Sequence, residues 1–339
     1  MLANTTIDDS ITLQDAPAIE GLRFRHFHGE ADYPAMIEVL EASRSADGLD
    51  EISTVENLAR AYSDLRNCDP QQDMVMVEVD GRLVGYNRVD WYKELDGTHI
   101  YNNFGFLMPD WRGKGIGTAL IRHVENRLRE IAAGHPQEGD KQFATWTSMT
   151  QTAHIGLIER EGYAPVRYSY SMVRPDLENI PDCPLPEGME VRPVTPEQHR
   201  TIWEAEVEAF KDHWGEWQTE EGDYDRWLKE PMLQPEIWQV AWEGDQVVGM
   251  VRNFINREEN EKFGRLRGYT ENISVRKAWR KRGVARALIA NSFRLLKDLG
   301  MKEAALGVDA LNPNGALQLY EKMGFKVDKE WKTYRKPLR

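Results

Sequence analysis

The feature that most constrains this chain of 339 residues is that it repeats itself. The run Asp110-Trp111-Arg112-Gly113-Lys114-Gly115-Ile116-Gly117-Thr118-Ala119-Leu120-Ile121 matches Ala278-Trp279-Arg280-Lys281-Arg282-Gly283-Val284-Ala285-Arg286-Ala287-Leu288-Ile289, 168 residues further on. Flanking segments agree at nearly the same offset. Gly21-Leu22-Arg23-Phe24-Arg25 resembles Gly188-Met189-Glu190-Val191-Arg192, and Asp80 to Gly85 resembles Gly244 to Gly249. A repeat that shares element order over half a chain implies two copies of one fold rather than one large domain.

The coarse pattern in the second copy alternates strands and helices. Strands are expected at Met189 to Pro193, Trp238 to Trp242, Gln246 to Phe254, Arg267 to Val275, Ala304 to Val308 and Trp331 to Lys336. Helices are expected at His199 to Phe210, Val284 to Leu299 and Pro313 to Met323. This mixture makes an α/β (α+β) mixed-sheet layer fold, present twice. Between the copies Pro175, Pro181, Pro184 and Pro186 stiffen an extended segment. The expected domains are residues 21–173 and 188–339, joined by a proline-rich linker at 174–187 and preceded by a flexible polar lead-in at 1–20.

Charge and composition narrow the function. A net charge of -13 argues against a nucleic-acid binder, which needs a basic face, and is compatible with a cationic partner. No apolar run approaches the ~18–20 residues that span a bilayer. The acidic start, with Asp8, Asp9, Asp15 and Glu20, does not read as a secretory leader. Cys68 and Cys183 have neither metal nor disulfide-scaffold spacing and read as free thiols of a cytoplasmic protein. No metal-ligand cluster is visible, and no metal is expected.

The repeated motif sits between a strand and a helix and has the makings of an anion nest. Unpaired amides at a helix start point one way, the helix dipole adds partial positive charge, and Gly283 leaves the backbone bare. Arg280, Lys281, Arg282, Gly283, Val284, Ala285 and Arg286 form this turn in the second copy. Arg112, Gly113, Lys114, Gly115, Ile116, Gly117 and Thr118 form it in the first. The spacing is neither that of a dinucleotide-binding loop nor that of a P-loop.

Arg-x-x-Gly-x-Gly/Ala between strand and helix, followed by a strand and then Leu319-Tyr320-Glu321-Lys322-Met323-Gly324-Phe325, resembles the GNAT acetyltransferase family. Both halves share the resemblance, which covers nearly the whole chain. Their tandem layout, with Ala209 to Gly215 and Leu306 to Asp309, is similar to the mycothiol synthase-like group. The resemblance implies acetyl-CoA as cofactor, its pyrophosphate on the arginine-glycine turn. Its pantetheine arm would pair with the backbone of Ile273 and Val275, with Leu107 at the matching place in the first copy. Asn312, beside Pro313 where many members carry asparagine, is the candidate for a further pantetheine contact.

The same resemblance implies direct amine acetylation, with Glu271 as general base and Tyr320 as the acid that protonates the departing sulfur. Strand alternation puts Glu271, Ile273 and Val275 on one face. The first copy has Asn103 where Glu271 stands and Ile158 where Tyr320 stands, so it is expected to be non-catalytic while keeping a complete turn.

Acceptor recognition is expected from Asp212, His213 and Trp214, at the head of a tryptophan- and acid-rich stretch reaching Trp238. Aromatic faces with carboxylates suit a cation, and equally suit a helix packed by its indoles. His213 is an alternative base or a relay to Glu271. The acceptor class stays open: a cysteinyl pseudo-disaccharide, an antibiotic amine, a polyamine or a peptide N-terminus. A non-catalytic CoA-binding regulatory or interaction module, or a nucleotide-binding protein using the same turns, are the competing readings. A tandem repeat can complete internally what single-domain relatives achieve by dimerising, so a monomer is expected.

Overall fold

The computed structural model describes residues 9–312 and 314–339. The chain forms two compact units, one running through Val166 and including Thr333–Arg339, the other Arg167–Lys332.

The first unit contains β1 (Leu22–Arg25), α1 (Tyr33–Ala46), α2 (Val55–Tyr62), α3 (Pro70–Asp73), β2 (Met74–Val79), β3 (Arg82–Lys93), β4 (His99–Leu107), α4 (Ile116–Ala133), β5 (Lys141–Ser148) and α5 (Thr152–Arg160). Its strands run in the order β1-β2-β3-β4-β5, antiparallel except for the parallel pair β4 and β5. The second unit receives most of β6 (Ala164–Arg174) and then repeats the plan. It has β7 (Met189–Arg192), α6 (His199–Phe210), α7 (Asp223–Leu228), β8 (Gln239–Glu243), β9 (Gln246–Phe254), α8 (Arg257–Phe263), β10 (Arg267–Val275), α9 (Val284–Asp298), β11 (Glu303–Asp309), α10 (Ala316–Lys322) and the first part of β12 (Lys326–Pro337). Here the order is β7-β8-β9-β10-β11-β6, with β10 and β11 parallel.

The second unit is a three-layer packing about β9, whose alternation is shifted by a bulge where Trp242 pairs with Val247 and Ala241 with Gly249. Val247 and Met250 meet Ile202 and Ala205 of α6, while Val248 and Val251 meet Leu288, Ile289 and Phe293 of α9. Helix α9 forms where apolar residues recur at helical spacing, burying Val284, Ala287, Leu288 and Phe293. The strands and helices expected from the sequence are present with ends shifted by up to five residues, β12 beginning at Lys326 rather than Trp331; Pro313, the expected start of the last helix, lies outside the described residues. Two short helices, α7 and α8, were not expected. The latter starts where the Asn256 side chain accepts the Glu259 amide at 3.1 Å.

The boundaries expected from the sequence need correction. Proline density marks 174–187 as a linker, yet the units part at Val166 and Arg167. The reason is hydrogen bonding: β6 pairs with β11 from Ser169↔Asp309 to Arg174↔Ala304. Leu177 and Cys183 of the proline-rich stretch are buried in the second unit's core, so this segment is packed covering. At the far end, the Leu338 amide donates to the Lys141 carbonyl at 2.9 Å, which draws the last residues into the first unit. The lead-in also departs from expectation. Its first eight residues lie outside the described ones. The rest is fastened: the Ile11 amide donates to the Phe24 carbonyl at 2.8 Å, Ser10 bridges Arg25, and Leu13 is buried.

Candidate active site

Everything the second unit offers chemically turns on β10. Its ladder with β9 pairs Glu271 with Arg252 and Ser274 with Met250, three residues against two, so β10 carries a bulge. Asn272 sits in it with φ +49°. The bulge corrects the expected alternation. Glu271 and Ser274 face α6 with Arg252 and Met250, whereas Ile273 and Val275 pack toward α9. On its other side β10 pairs with β11 only from Arg267 to Tyr269, and the two parallel strands then lose register. Glu271 closes part of that gap, where its Oε1 accepts the Gly307 amide at 2.9 Å.

Burial pushes the Glu271 carboxyl up to about 8, against the opposing pull of the Gly307 amide and the Arg252 guanidinium. Tyr320, on α10, is buried with its ring edge-on to Phe325 at 6.1 Å. Burial first, and then the Glu271 charge, raise its phenol above the ordinary tyrosine range. An elevated carboxyl is a base for near-neutral to alkaline chemistry, and an elevated phenol stays a proton donor there.

The anion turn lies where the sequence puts it. Gly283, at φ +91°, is the N-cap of α9 with no side-chain cap, so the amides of Val284, Ala285 and Arg286 lack intrahelical partners. A Cβ at Gly283 would meet nothing within 4 Å, leaving the turn open. Arg280 does not face that opening. Its Nε donates to the Val275 carbonyl at 3.0 Å, and its other nitrogens reach the Ala209 carbonyl at 2.9 Å and Asp212 at 2.7 Å. Arg280 is thus a brace between the turn and the end of α6, and Asp212 is engaged as its partner. Arg282 lies 3.4 Å from Glu243, and Lys281 holds φ +63° inside the turn. His213 is bound locally, its Nδ1 2.9 Å from the Trp214 carbonyl, and no described contact joins it to Glu271. Trp214 lies under the Arg167 guanidinium at 5.1 Å. The Asn312 side-chain oxygen accepts the Asn314 amide at 2.8 Å, shaping the loop before α10.

Two copies of the "Acetyltransferase (GNAT) family" model match, at residues 37–163 and 201–325. The chain belongs to the GNAT acetyltransferase family. Mycothiol acetyltransferase of Geodermatophilus obscurus is 27% identical over 90% of this chain and 95% of its own length. That of Salinispora arenicola is 28% identical over 81% and 90%. A GCN5-related N-acetyltransferase from Sphaerobacter thermophilus superposes with a TM-score of 0.71 at 28% identity, covering 97% and 98% of the two chains. A tandem GNAT protein from the clavulanic acid biosynthesis pathway shares the fold, with a TM-score of 0.65 at 14% identity, covering 94% and 99%. Membership makes this chain an acetyl-CoA-dependent N-acetyltransferase with two GNAT copies.

The first GNAT copy keeps the turn and changes what surrounds it. Arg112 repeats the brace, with Nε to the Leu107 carbonyl at 3.2 Å and a fork onto Asp47 at 2.6 and 3.0 Å. Lys114 stacks over Trp111 at 4.5 Å. Gly115 has φ +93°, but a Cβ there would meet the Pro17 ring at 3.3 Å. The lead-in therefore packs against this turn, held by Asp15 to Arg122 of α4 at 3.0 Å. A Cβ at Gly117 would meet the end of the Leu157 side chain at 2.8 Å, which would have to shift. Strand β4 has no bulge: its register with β3 is unbroken from Lys93↔His99 to Gly85↔Leu107. Asn103 is accordingly buried, with its amide 3.2 Å from the Tyr163 hydroxyl, and Ile158 is fully buried.

Sequence reading missed the polar cluster behind Glu271, made of Glu206, Arg252, Glu230 and Asn272. Only its indoles, Trp227 and Trp238, gave a signal, as part of the tryptophan- and acid-rich stretch. Both are buried, so the packing alternative holds for them. Among the described residues no helix is long and apolar enough to cross a membrane, and no group of side chains could hold a metal ion.

Proposed function

We propose that the second GNAT unit transfers an acetyl group from acetyl-CoA to the primary amine of a small molecule by direct attack. The observation that carries this reading is the pairing of a high-pKa carboxyl, Glu271, with a high-pKa phenol, Tyr320, beside the splay of β10 and β11.

Acetyl-CoA supplies the thioester. The residues present fit it: uncapped α9 amides with open space at Gly283 suit a pyrophosphate, and the backbone of Ile273 and Val275 lies at the strand that loses its neighbour. Arg280 holds the shape of this turn through Asp212 and the Val275 carbonyl. Glu271 takes the proton that an ammonium acceptor must lose, and Tyr320 keeps a proton on its phenol oxygen for the departing sulfur. Groups placed this way contribute about 10²–10⁴-fold. The relatives named mycothiol acetyltransferase make a cysteinyl amine the first acceptor to try.

The first unit is read as scaffold. It lacks carboxyl and phenol at the matching places, and the lead-in packs on its turn at Gly115. The test is release of free thiol from acetyl-CoA across a panel of small primary amines. Turnover that vanishes in Glu271→Gln and drops in Tyr320→Phe supports the assignment. Thiol release unaffected by either change removes it.

A further inference from the structure

Asn272 occupies the left-handed region, which asparagine tolerates better than other non-glycine residues, and its side chain is anchored as well. The side-chain amide donates to Glu206 of α6, a carboxylate only 5% exposed. Glu206 also accepts the Trp227 indole N–H at 3.0 Å and the Arg252 guanidinium at 3.3 Å on both oxygens. Every direction around this buried carboxylate is thus met by a donor.

Arg252 is the second part of the device. It stands directly opposite Glu271 in the ladder, so the two side chains share the face toward α6. An arginine there would ordinarily form an ion pair with Glu271 and remove it as a base. Instead Arg252 is engaged by Glu206 and Glu230 and flanked by Trp238 at 4.9 Å and Trp227 at 5.3 Å. The first unit shows the alternative. Counting three residues back from Ser43 and Ala209, whose carbonyls receive the bracing arginines, sets Leu40 against Glu206. Val89 opposes Asn103 where Arg252 opposes Glu271. Leu40 and Val89 are both buried apolar residues, and β4 has no bulge. The carboxylate and the bulge are absent together in that copy, whereas a guanidinium is kept: Arg88 follows Gly85 by three residues as Arg252 follows Gly249, and without the bulge it stands opposite Phe104.

We infer that Glu206 is a positioning residue for Glu271: it tethers Asn272 to hold the bulge that delivers Glu271 to the splay, and it occupies Arg252 so that Glu271 remains unpaired. The inference rests on the reading of Glu271 as the base. The groups that face Glu271 are Arg252 from β9, Tyr320 from α10 and the Gly307 amide from β11, with Glu206 and Glu230 acting through Arg252.

The test is the pH profile of kcat/KM in the full-length chain, for wild type, Glu206→Gln, Asn272→Gly and Glu271→Gln. Removing the Glu206 charge leaves Arg252 freer to favour the Glu271 carboxylate. The acidic limb should move at least half a unit toward lower pH, with kcat down about tenfold and KM for acetyl-CoA within about twofold of wild type. Asn272→Gly keeps the backbone conformation and loses only the tether, so it should lower kcat severalfold at unchanged melting temperature. An unmoved limb in a folded Glu206→Gln overturns the inference. Should that variant fail to fold, wild-type kcat in Asn272→Gly overturns it. Full activity of Glu271→Gln would remove the base reading and this inference with it. An inactive Glu271→Gln beside an unshifted Glu206→Gln removes the inference alone.

Discussion

Glu271 accepts the amide of Gly307 across the opening between β10 and β11, at 2.9 Å, so a carboxylate takes a donor that strand pairing would otherwise use. One amide and one neighbouring guanidinium do not offset its burial, and the carboxyl stays near 8.

That balance has a cost in stability with a definite sign. The folded-state pKa lies above the ordinary carboxyl value of 4.5, so the folded chain favours the neutral acid. The stabilisation is complete below about 4.5 and is lost as pH rises toward 8. Glu271→Gln, neutral throughout, should melt at the same temperature as wild type near pH 4.5 and several degrees higher at pH 9. The difference is on the order of a few kcal/mol. Thermal melts at the two pH values check this; a constant gap would mean that Glu271 is not a high-pKa group.

Activity should show the other side of the same trade. With the base protonated at neutral pH, kcat/KM should rise through pH 8, and Glu271→Gln should lose about 10²-fold or more on the alkaline plateau. A pH–rate profile with saturating acetyl-CoA measures both.

Tyr320→Phe removes one oxygen from a packed position and leaves the ring against Phe325. We expect kcat to fall at least about tenfold, with acetyl-CoA affinity within about twofold and little change in melting temperature. Steady-state kinetics beside a titration of acetyl-CoA separates this from a binding defect.

Pro17 against Gly115 predicts a stoichiometry. Calorimetry should find one acetyl-CoA site per chain, lost in Gly283→Glu. Two sites in the wild type would mean that the lead-in leaves the first turn accessible.

Asp212, expected at the acceptor site, is bonded to Arg280 at 2.7 Å. Asp212→Ala should therefore raise KM for acetyl-CoA severalfold while moving KM for the amine less than about twofold. The opposite split, read from a two-substrate kinetic grid, would return Asp212 to the acceptor site.

What the sequence determined by itself is whatever is carried by local pattern. The repeat, the strand–turn–helix around Gly283, and the presence of Glu271 and Tyr320 where the first copy has Asn103 and Ile158 were all legible, because spacing along the chain expresses them. Tertiary structure alone decided the rest. Alternation set Glu271 beside Ile273 and Val275, but the Asn272 bulge turned it to the opposite face, and one residue of register is invisible in a period-2 pattern. Proline density suggested a boundary at 174–187, while the β6–β11 ladder moved it to Val166, because backbone hydrogen bonds carry no side-chain signature. Arg252 between Glu206 and Glu230 joins residues from β9, α6 and the loop after α7, and only packing brings such charges together.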